Sequence, residues 1–503
     1  MRRPGLTVIP LLLLAACLAS PQVLADRHLG ETSVQSKTKT DRPRPALATP
    51  APTATSTPVQ VPTESSPAFP DEFAAIFHPD GSLYVGDQVS IEVVAPEAFD
   101  PSGKSVAVLA NGEDLGTAAL NPFGIAGRQE AVFTWAWGTS ALEPGDYRLD
   151  FSVLPAGPQW SETVTLLPAA DLPPPGEAAG WEILSTACCE ISYITGTEAE
   201  RDIEALGQIA DSQADAVQEK LGAQLTEKIP LVLMSRVLGH GGFTSDAIYV
   251  SYLDRNYAGE ATAQVLHHEV VHWLDGKQGG DLRPTILVEG LAVYLSGGHF
   301  KPEALLPRAA AVRDLGWYIP LRQLTDDFYP SQHEIGYIEA GALVQYLVET
   351  HGWAAFDAFY RDIHPSPSGQ QSDALDGALQ AHFDISLEQL EADWIDWLEA
   401  LPEDPTARQD VVQTVRFYAT VRRYQVMFDS SAYFQTAWLP DETQMREKGI
   451  VADYLRHPDG PMSRYLETLL VQADASLRAG NYGLAGHILG VVNSLLNVVV
   501  SLN

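Results

Sequence analysis

The sequence is poor in cysteine, with three residues in a chain of 503. That excludes the paired framework that staples small secreted domains. Cys188 and Cys189 are adjacent, and they are expected as two thiols on opposite faces of one strand, because successive strand side chains alternate. Positive charge is also scarce. Against 65 Asp and Glu stand 31 Lys and Arg, a formal net charge of −34. Nucleic-acid binding needs clustered cations on phosphate and is excluded; an acidic, soluble surface is the reading that remains. Uninterrupted apolar runs of bilayer length are missing too. Leu6 to Ala16 is too short to span, and Gly483 to Leu502 is broken by His487, Asn493, Ser494 and Asn497, which favours a packed helix.

What is present begins at the N-terminus. Arg2 and Arg3 precede the apolar stretch, the pattern of a secretory signal, so the chain is expected to leave the cytoplasm. Leu14-Ala15-Ala16-Cys17 resembles the lipobox of bacterial lipoproteins, which implies lipidation at Cys17 and a place at the cell surface or on a periplasm-facing membrane. Cleavage after Val23-Leu24-Ala25 is the alternative and gives a secreted chain. Membrane contact is expected only through this anchor. Residues 1–25 are thus assigned to the signal. Residues 26–70, rich in Pro, Thr and Ser, cannot bury enough apolar surface to offset backbone ordering and are expected as a disordered tether.

The rest is long enough for two or three folded units. Residues 71–168 alternate with period two in Gln88–Val94, Ser105–Leu109, Ala131–Trp137 and Tyr147–Val153, with turn signals such as Asn111-Gly112 and Pro144-Gly145 between them. This predicts a β-sandwich, and it resembles an immunoglobulin-like module. After the break at Pro173–Pro175, residues 177–402 give a strand over Trp181–Ile194, a helix over Glu198–Leu221, strands at Ile229–Met234 and Ala247–Leu253, then helices: an α+β unit. The second of those two segments is expected as an edge strand able to pair with extended peptide. Residues 403–503 are expected as a helical C-terminal region, with Ala473–Asn497 as one hairpin of the tetratricopeptide type bent at Gly480.

The chemistry concentrates in Val265-Leu-His-His-Glu-Val-Val-His-Trp-Leu-Asp275. His268 and His272, four apart on a helix, put both imidazoles on one face. Two neutral imidazoles there can bind Zn2+ while Glu269 reaches a water beside it. A third ligand is required. Pro284-Thr-Ile-Leu-Val-Glu-Gly-Leu-Ala-Val-Tyr294 supplies Glu289 on a following helix, amid apolar residues where an unpaired carboxylate is costly and one zinc ion is the fitting partner. Pro284 suits the helix start and Gly297-Gly298 its end. Asp275 is a candidate to orient a ligand histidine, or else a solvated acid at the helix end. His267 neighbours the motif but is expected to point away from its face, and His240, His299 and His351 lack partners at ligand spacing.

His268-Glu269-x-x-His272 followed by Glu289-Gly290-Leu291-Ala292-x-Tyr294 resembles the gluzincin metallopeptidases, specifically the peptidase MA-like group, over roughly residues 181–401. Asp275 and Gln278 stand where the metzincin pattern demands Gly and His. The resemblance implies a zincin-like α+β metallopeptidase domain, a peptide or protein substrate, His268, His272 and Glu289 as zinc ligands, and Glu269 as general base. It also implies an oxyanion-stabilising residue, for which Tyr337 is the candidate and Tyr294, Tyr318 and Tyr329 are alternatives. The aminopeptidase segment Gly-x-Met-Glu-Asn is not present in Gly241–Ser251, so exopeptidase activity is not implied. Two other readings stay open: a surface binding protein that keeps the peptidase fold without turnover, and a zinc hydrolase of non-peptide amides.

Overall fold

The computed structural model describes residues 72–502, apart from 80, 124–127, 173–178, 240, 260, 300, 330–332, 433–441 and 449–455. The expected signal, Cys17, the tether, Pro173–Pro175 and His240 lie outside the described residues.

The alternating segments fold as expected into two facing sheets. β1 (Ala74–His78), β3 (Gln88–Val94), β7 (Arg128–Gly138) and β6 (Asn121–Phe123) form one, in that order. β2 (Leu83–Tyr84), β9 (Gln159–Leu167), β8 (Gly145–Leu154), β4 (Ser105–Ala110) and β5 (Glu113–Ala119) form the other. Period two decides which side chains meet: Val106 and Val108 of β4 and Leu149, Phe151 and Val153 of β8 turn inward onto Val89, Ile91 and Val93. The sandwich is tied to the C-terminal region by Arg456 on Asp87 at 2.6 Å and by His78 with Ser431 at 2.6 Å.

The next sheet runs β10 (Trp181–Ser185), β11 (Cys189–Ile194), β12 (Ile229–Met234), β14 (Ile248–Ser251), β13 (Gly242–Thr244). β11, β12 and β14 are parallel, and α1 (Glu198–Leu221) makes the crossover that parallel pairing requires. Three expectations change here. Trp181–Ile194 is a hairpin rather than one strand. Cys188 and Cys189 are joined as a disulfide rather than being two separate thiols. Cys188 sits in the turn before β11, its N–H held by Asp211 at 2.8 Å, so strand alternation does not govern the pair. The strand inside Ala247–Leu253 is interior, not an edge: β14 is buried between β12 and the short β13, which forms the edge.

Helices make the remainder: α2 (Thr262–Gln278), α3 (Thr285–Ser296), α4 (Leu305–Asp314), α5 (Leu321–Asp326), α6 (His333–His351), α7 (Trp353–Arg361), α8 (Gln371–Phe383), α9 (Leu387–Glu399), α10 (Pro405–Phe428), α11 (Glu442–Lys448), α12 (Pro461–Arg478) and α13 (Tyr482–Leu502). The expected hairpin is α12 and α13. Its first helix starts earlier than its apolar periodicity suggested, with a proline in the first turn. α13 is long and apolar enough to cross a membrane by length and composition, and it packs one face, Ala485, Leu489, Val492 and Leu496, into the core shared with Leu466 and Leu470 of α12. The division expected at residue 402/403 marks the start of α10 but not a gap in packing. Ala407, Val411 and Val415 of α10 belong to the core of the α+β unit, while Phe417, Tyr418, Val421 and Tyr424 belong to that of the C-terminal hairpin.

Candidate metal centre

α2 runs beneath the sheet with Leu266, Val270, Val271 and Leu274 buried, so its register is fixed by packing rather than by the polar residues it carries. That register turns His268, Glu269 and His272 toward β13 and α3. β13 can approach α2 only because residue 242 is glycine: a Cβ there would lie 2.7 Å from the Tyr249 carbonyl oxygen and 2.8 Å from the Val265 side chain. α3 and α6 interlock in the same way. A Cβ on Gly290 would fall 2.5 Å from the Ala340 carbonyl oxygen, and one on Gly341 would fall 2.4 Å from Val293 Cγ1. These close approaches bring Glu289 and Tyr337 to the face that α2 presents.

The geometry brings the three sequence-predicted ligands together. Ligand atoms of His268, His272 and Glu289 all lie within 4.8 Å of one another. His272 Nε2 is 3.0 Å from His268 Nε2, and Glu289 Oε2 is 3.2 Å from the first and 3.4 Å from the second. Lone-pair-bearing atoms converge on one point in a buried setting, an arrangement that repels itself unless a proton or a cation sits inside. Burial works against charge on His272, yet the Glu289 carboxylate outweighs it and raises that imidazole to about 9. Burial, with the charge of His272, holds His268 down at about 4. Burial opposes the Glu289 carboxylate as well, but the two histidines keep its pKa well below the ordinary value. Two nitrogens and one carboxylate oxygen are the donor set of a catalytic zinc site, so these residues fit the metal.

Around the ligands the chain supplies orienting groups. Thr244 on β13 donates to Glu269 Oε2 at 2.8 Å, and burial raises Glu269 to about 7. Tyr329 donates to Glu289 Oε1 at 2.8 Å, fixing the carboxylate oxygen that does not face the histidines. Asp275 is neither solvated nor engaged with a ligand histidine by any hydrogen bond among the described residues. It is buried at the end of α2 and held by Arg283 at 2.8 Å, Arg361 at 2.7 Å and Tyr360 at 2.8 Å, so it anchors α2. His267 faces away from the ligands, with Nδ1 2.9 Å from Gln213 Oε1.

Of the four tyrosine candidates, Tyr337 and Tyr329 line the cleft over the metal centre and Tyr294 and Tyr318 do not. Tyr318 is taken by Glu391 at 2.9 Å. Tyr337 is buried with its ring centroid 6.3 Å from that of His268. Sequence reasoning missed two residues. His299 lies flat on Tyr337, at 3.9 Å and 3°, its ring 5.8 Å from that of His268 and its Nδ1 2.8 Å from the fully buried Glu334. It follows α3 in a turn, where no periodic spacing marks it. Thr244 is the other, and only the β13 pairing reveals it. The cleft has a volume of about 860 Å³, within the range of pockets that take organic ligands.

No protein-family model matches the chain. No curated protein matches it at a significant level. Among solved structures it is similar to the M1 zinc metallopeptidase from Deinococcus radiodurans, with 14% identity over 67% of this chain and 93% of that one and a TM-score of 0.30. A two-domain M1 zinc metallopeptidase bound to L-arginine gives 14% identity over 64% and 92%, with a TM-score of 0.28. The aminopeptidase N family protein from Idiomarina loihiensis gives 10% identity over 64% and 75%, with a TM-score of 0.27.

Proposed function

We propose that the chain is a zinc-dependent peptidase of the gluzincin type that works outside the cytoplasm. The observation that carries this reading is the convergence of His268, His272 and Glu289 beside a buried carboxylate, Glu269, at the floor of a cleft bordered by an edge strand. Zinc held by the three ligands supplies Lewis acidity toward a scissile carbonyl and acidifies a nearby water. The protein's own groups do the rest. Glu269 takes the proton of the attacking water and passes it to the leaving amine. Thr244 holds the Glu269 carboxylate in place for the transfer.

The oxyanion needs a donor. Tyr337 and His299, stacked on one another, both line the cleft and are the two groups we assign to that role. β13 offers backbone groups on its outer edge to an extended peptide. The export signal and the lipobox at Cys17 support a cell-surface location with the tether as spacer. The sandwich, read as immunoglobulin-like, serves as spacer or binding module.

Metal analysis of the purified protein together with a peptide-library cleavage profile tests the reading. One equivalent of zinc and hydrolysis of peptide bonds are expected. Glu269→Gln should keep the zinc and lose turnover; full activity in that variant would refute the mechanism.

A further inference from the structure

The β-sandwich contributes a tryptophan to the packing of the α+β sheet. Period two sends Ala131, Phe133 and Trp137 of β7 into the sandwich core, and Trp135 should follow them. It does not. Val89 of β3 pairs with Trp137 and Ile91 with Phe133, so residues 134–136 lie opposite Ser90 alone. In this bulge Trp135 has φ +48°, a left-handed backbone that bulky residues rarely adopt. Its N–H donates to the oxygen of the buried Ser90 at 2.9 Å. Bulges re-aim side chains, and this one takes Trp135 out of its own core and packs it against a second cluster.

That cluster fills the face of the α+β sheet turned away from α1 and α2. Leu231 and Leu233 of β12 and Ile248 and Val250 of β14 belong to the core beneath the helices, whereas Val232, Met234 and Tyr249 belong to the second cluster. β13 obeys the same alternation. Gly242 and Thr244 meet α2, and Phe243 lies on Tyr249 with ring centroids 4.8 Å apart. The edge strand is therefore backed on one side by α2 and on the other by the cluster to which Trp135 of the sandwich, Trp181 of β10 and Met445 of α11 contribute. β13 is three residues long and pairs with β14. So short an edge strand opens easily unless both of its faces are packed.

We propose that Trp135 is a positioning residue for β13: it backs the edge strand from the face opposite α2 and so keeps Thr244 against Glu269. The proposal rests on the peptidase reading for what that strand and that carboxylate do. It gives the sandwich a part in turnover beyond that of a spacer or binding module.

The test measures strand order and cleavage separately, on the full chain loaded with zinc. Trp135→Gly removes the ring and suits the left-handed backbone. Hydrogen exchange followed by mass spectrometry should show residues 242–251 exchanging roughly tenfold faster in that variant. Its kcat on one peptide should fall by roughly tenfold with zinc content unchanged. Trp135→Phe, which keeps an aromatic ring, should recover most of both. Trp135→Leu, a milder truncation, should give an intermediate effect if the glycine variant does not fold. Phe151→Leu weakens the sandwich core alone; it should lower the melting temperature and leave kcat and the exchange of 242–251 as they were. Unchanged exchange of 242–251 in the Trp135 variants, or an equal change in Phe151→Leu, overturns the proposal. Faster exchange with kcat unchanged overturns the positioning role. Failure of the protein with Trp135 intact to cleave any peptide, with the exchange difference kept, overturns the peptidase reading and leaves the bracing of β13 standing.

Discussion

Thr244 Oγ1 donates to Glu269 Oε2 at 2.8 Å and lies 3.1 Å from the Glu269 carbonyl oxygen, so one hydroxyl couples the edge strand to the carboxylate proposed as base. The contact exists because Gly242 lets β13 descend onto α2. A substrate strand that pairs with β13 would therefore press on the residue that orients the base.

Removing that hydroxyl while keeping the side chain's shape isolates its effect. Thr244→Val should lower kcat by about tenfold, the loss of one hydrogen bond to a charged group, with KM and zinc content unchanged. Thr244→Ser should recover most of the activity. Steady-state kinetics on one peptide decide it, and a change confined to KM would contradict an orienting role.

Tyr329 makes the corresponding prediction for the metal. Its ring is half exposed while its hydroxyl reaches Glu289 Oε1. Outer partners of metal ligands typically contribute 10–100-fold in affinity. Tyr329→Phe should weaken zinc binding by roughly tenfold in competition with a chelator, and thermal stability without metal should be unchanged.

The helix contact behind Glu289 is a packing claim. A methyl group on residue 290 would overlap the Ala340 carbonyl, and overpacking of this kind costs about 1–3 kcal/mol. Gly290→Ala should reduce stability by that amount in denaturant titration and should also weaken zinc retention, since Glu289 is the preceding residue. Gly297, which ends α3 in the left-handed conformation with nothing near its Cβ position, offers a control at the same helix. Gly297→Ala should destabilise through backbone strain alone and leave zinc affinity untouched.

The cluster proposed to hold the metal was legible in the sequence because helical spacing is a local property. His268, Glu269 and His272 share a helix, and Glu289 stands out as a carboxylate in an apolar helix. The two-sheet module was legible for a similar reason, since period two repeats within each strand. What escaped depends on contacts between distant segments. His299 acquires its place from Glu334 and Tyr337, and Thr244 from the pairing of β13 with β14. Whether a short apolar run is an edge or an interior strand depends on which neighbour covers it, so β14 was misplaced. Tyr418 and Arg422 of α10 and Arg478 of α12 line the cleft through the packing of the C-terminal helices, which no local spacing marks.

The C-terminal region carries a separate pH dependence, centred on His457. Burial, followed by the positive charges of Arg236 and Arg255, lowers its pKa from 6.5 to about 4, and an Arg255 Nη donor meets its Nδ1. The folded protein therefore holds a neutral imidazole in a range where the unfolded chain binds a proton. Between about pH 6.5 and 4 the unfolded state carries more protons, so stability should fall as pH falls through that window and level off below it. The shift from 6.5 to about 4 corresponds to at most about 3 kcal/mol. Glu467, in the same cluster, is raised to about 7 chiefly by burial and acts in the opposite sense, losing its stabilising proton as pH rises from its unfolded value toward 7. Whole-protein stability thus mixes the two. The difference between the original protein and His457→Asn, which keeps an acceptor near Nδ1 but cannot titrate, separates them. That difference should be small below pH 4, grow in favour of the original protein as pH rises to 6.5, and stay constant above it. Urea titrations at pH 4, 5, 6 and 7 measure it, and a pH-independent difference would show that His457 does not change its protonation on folding.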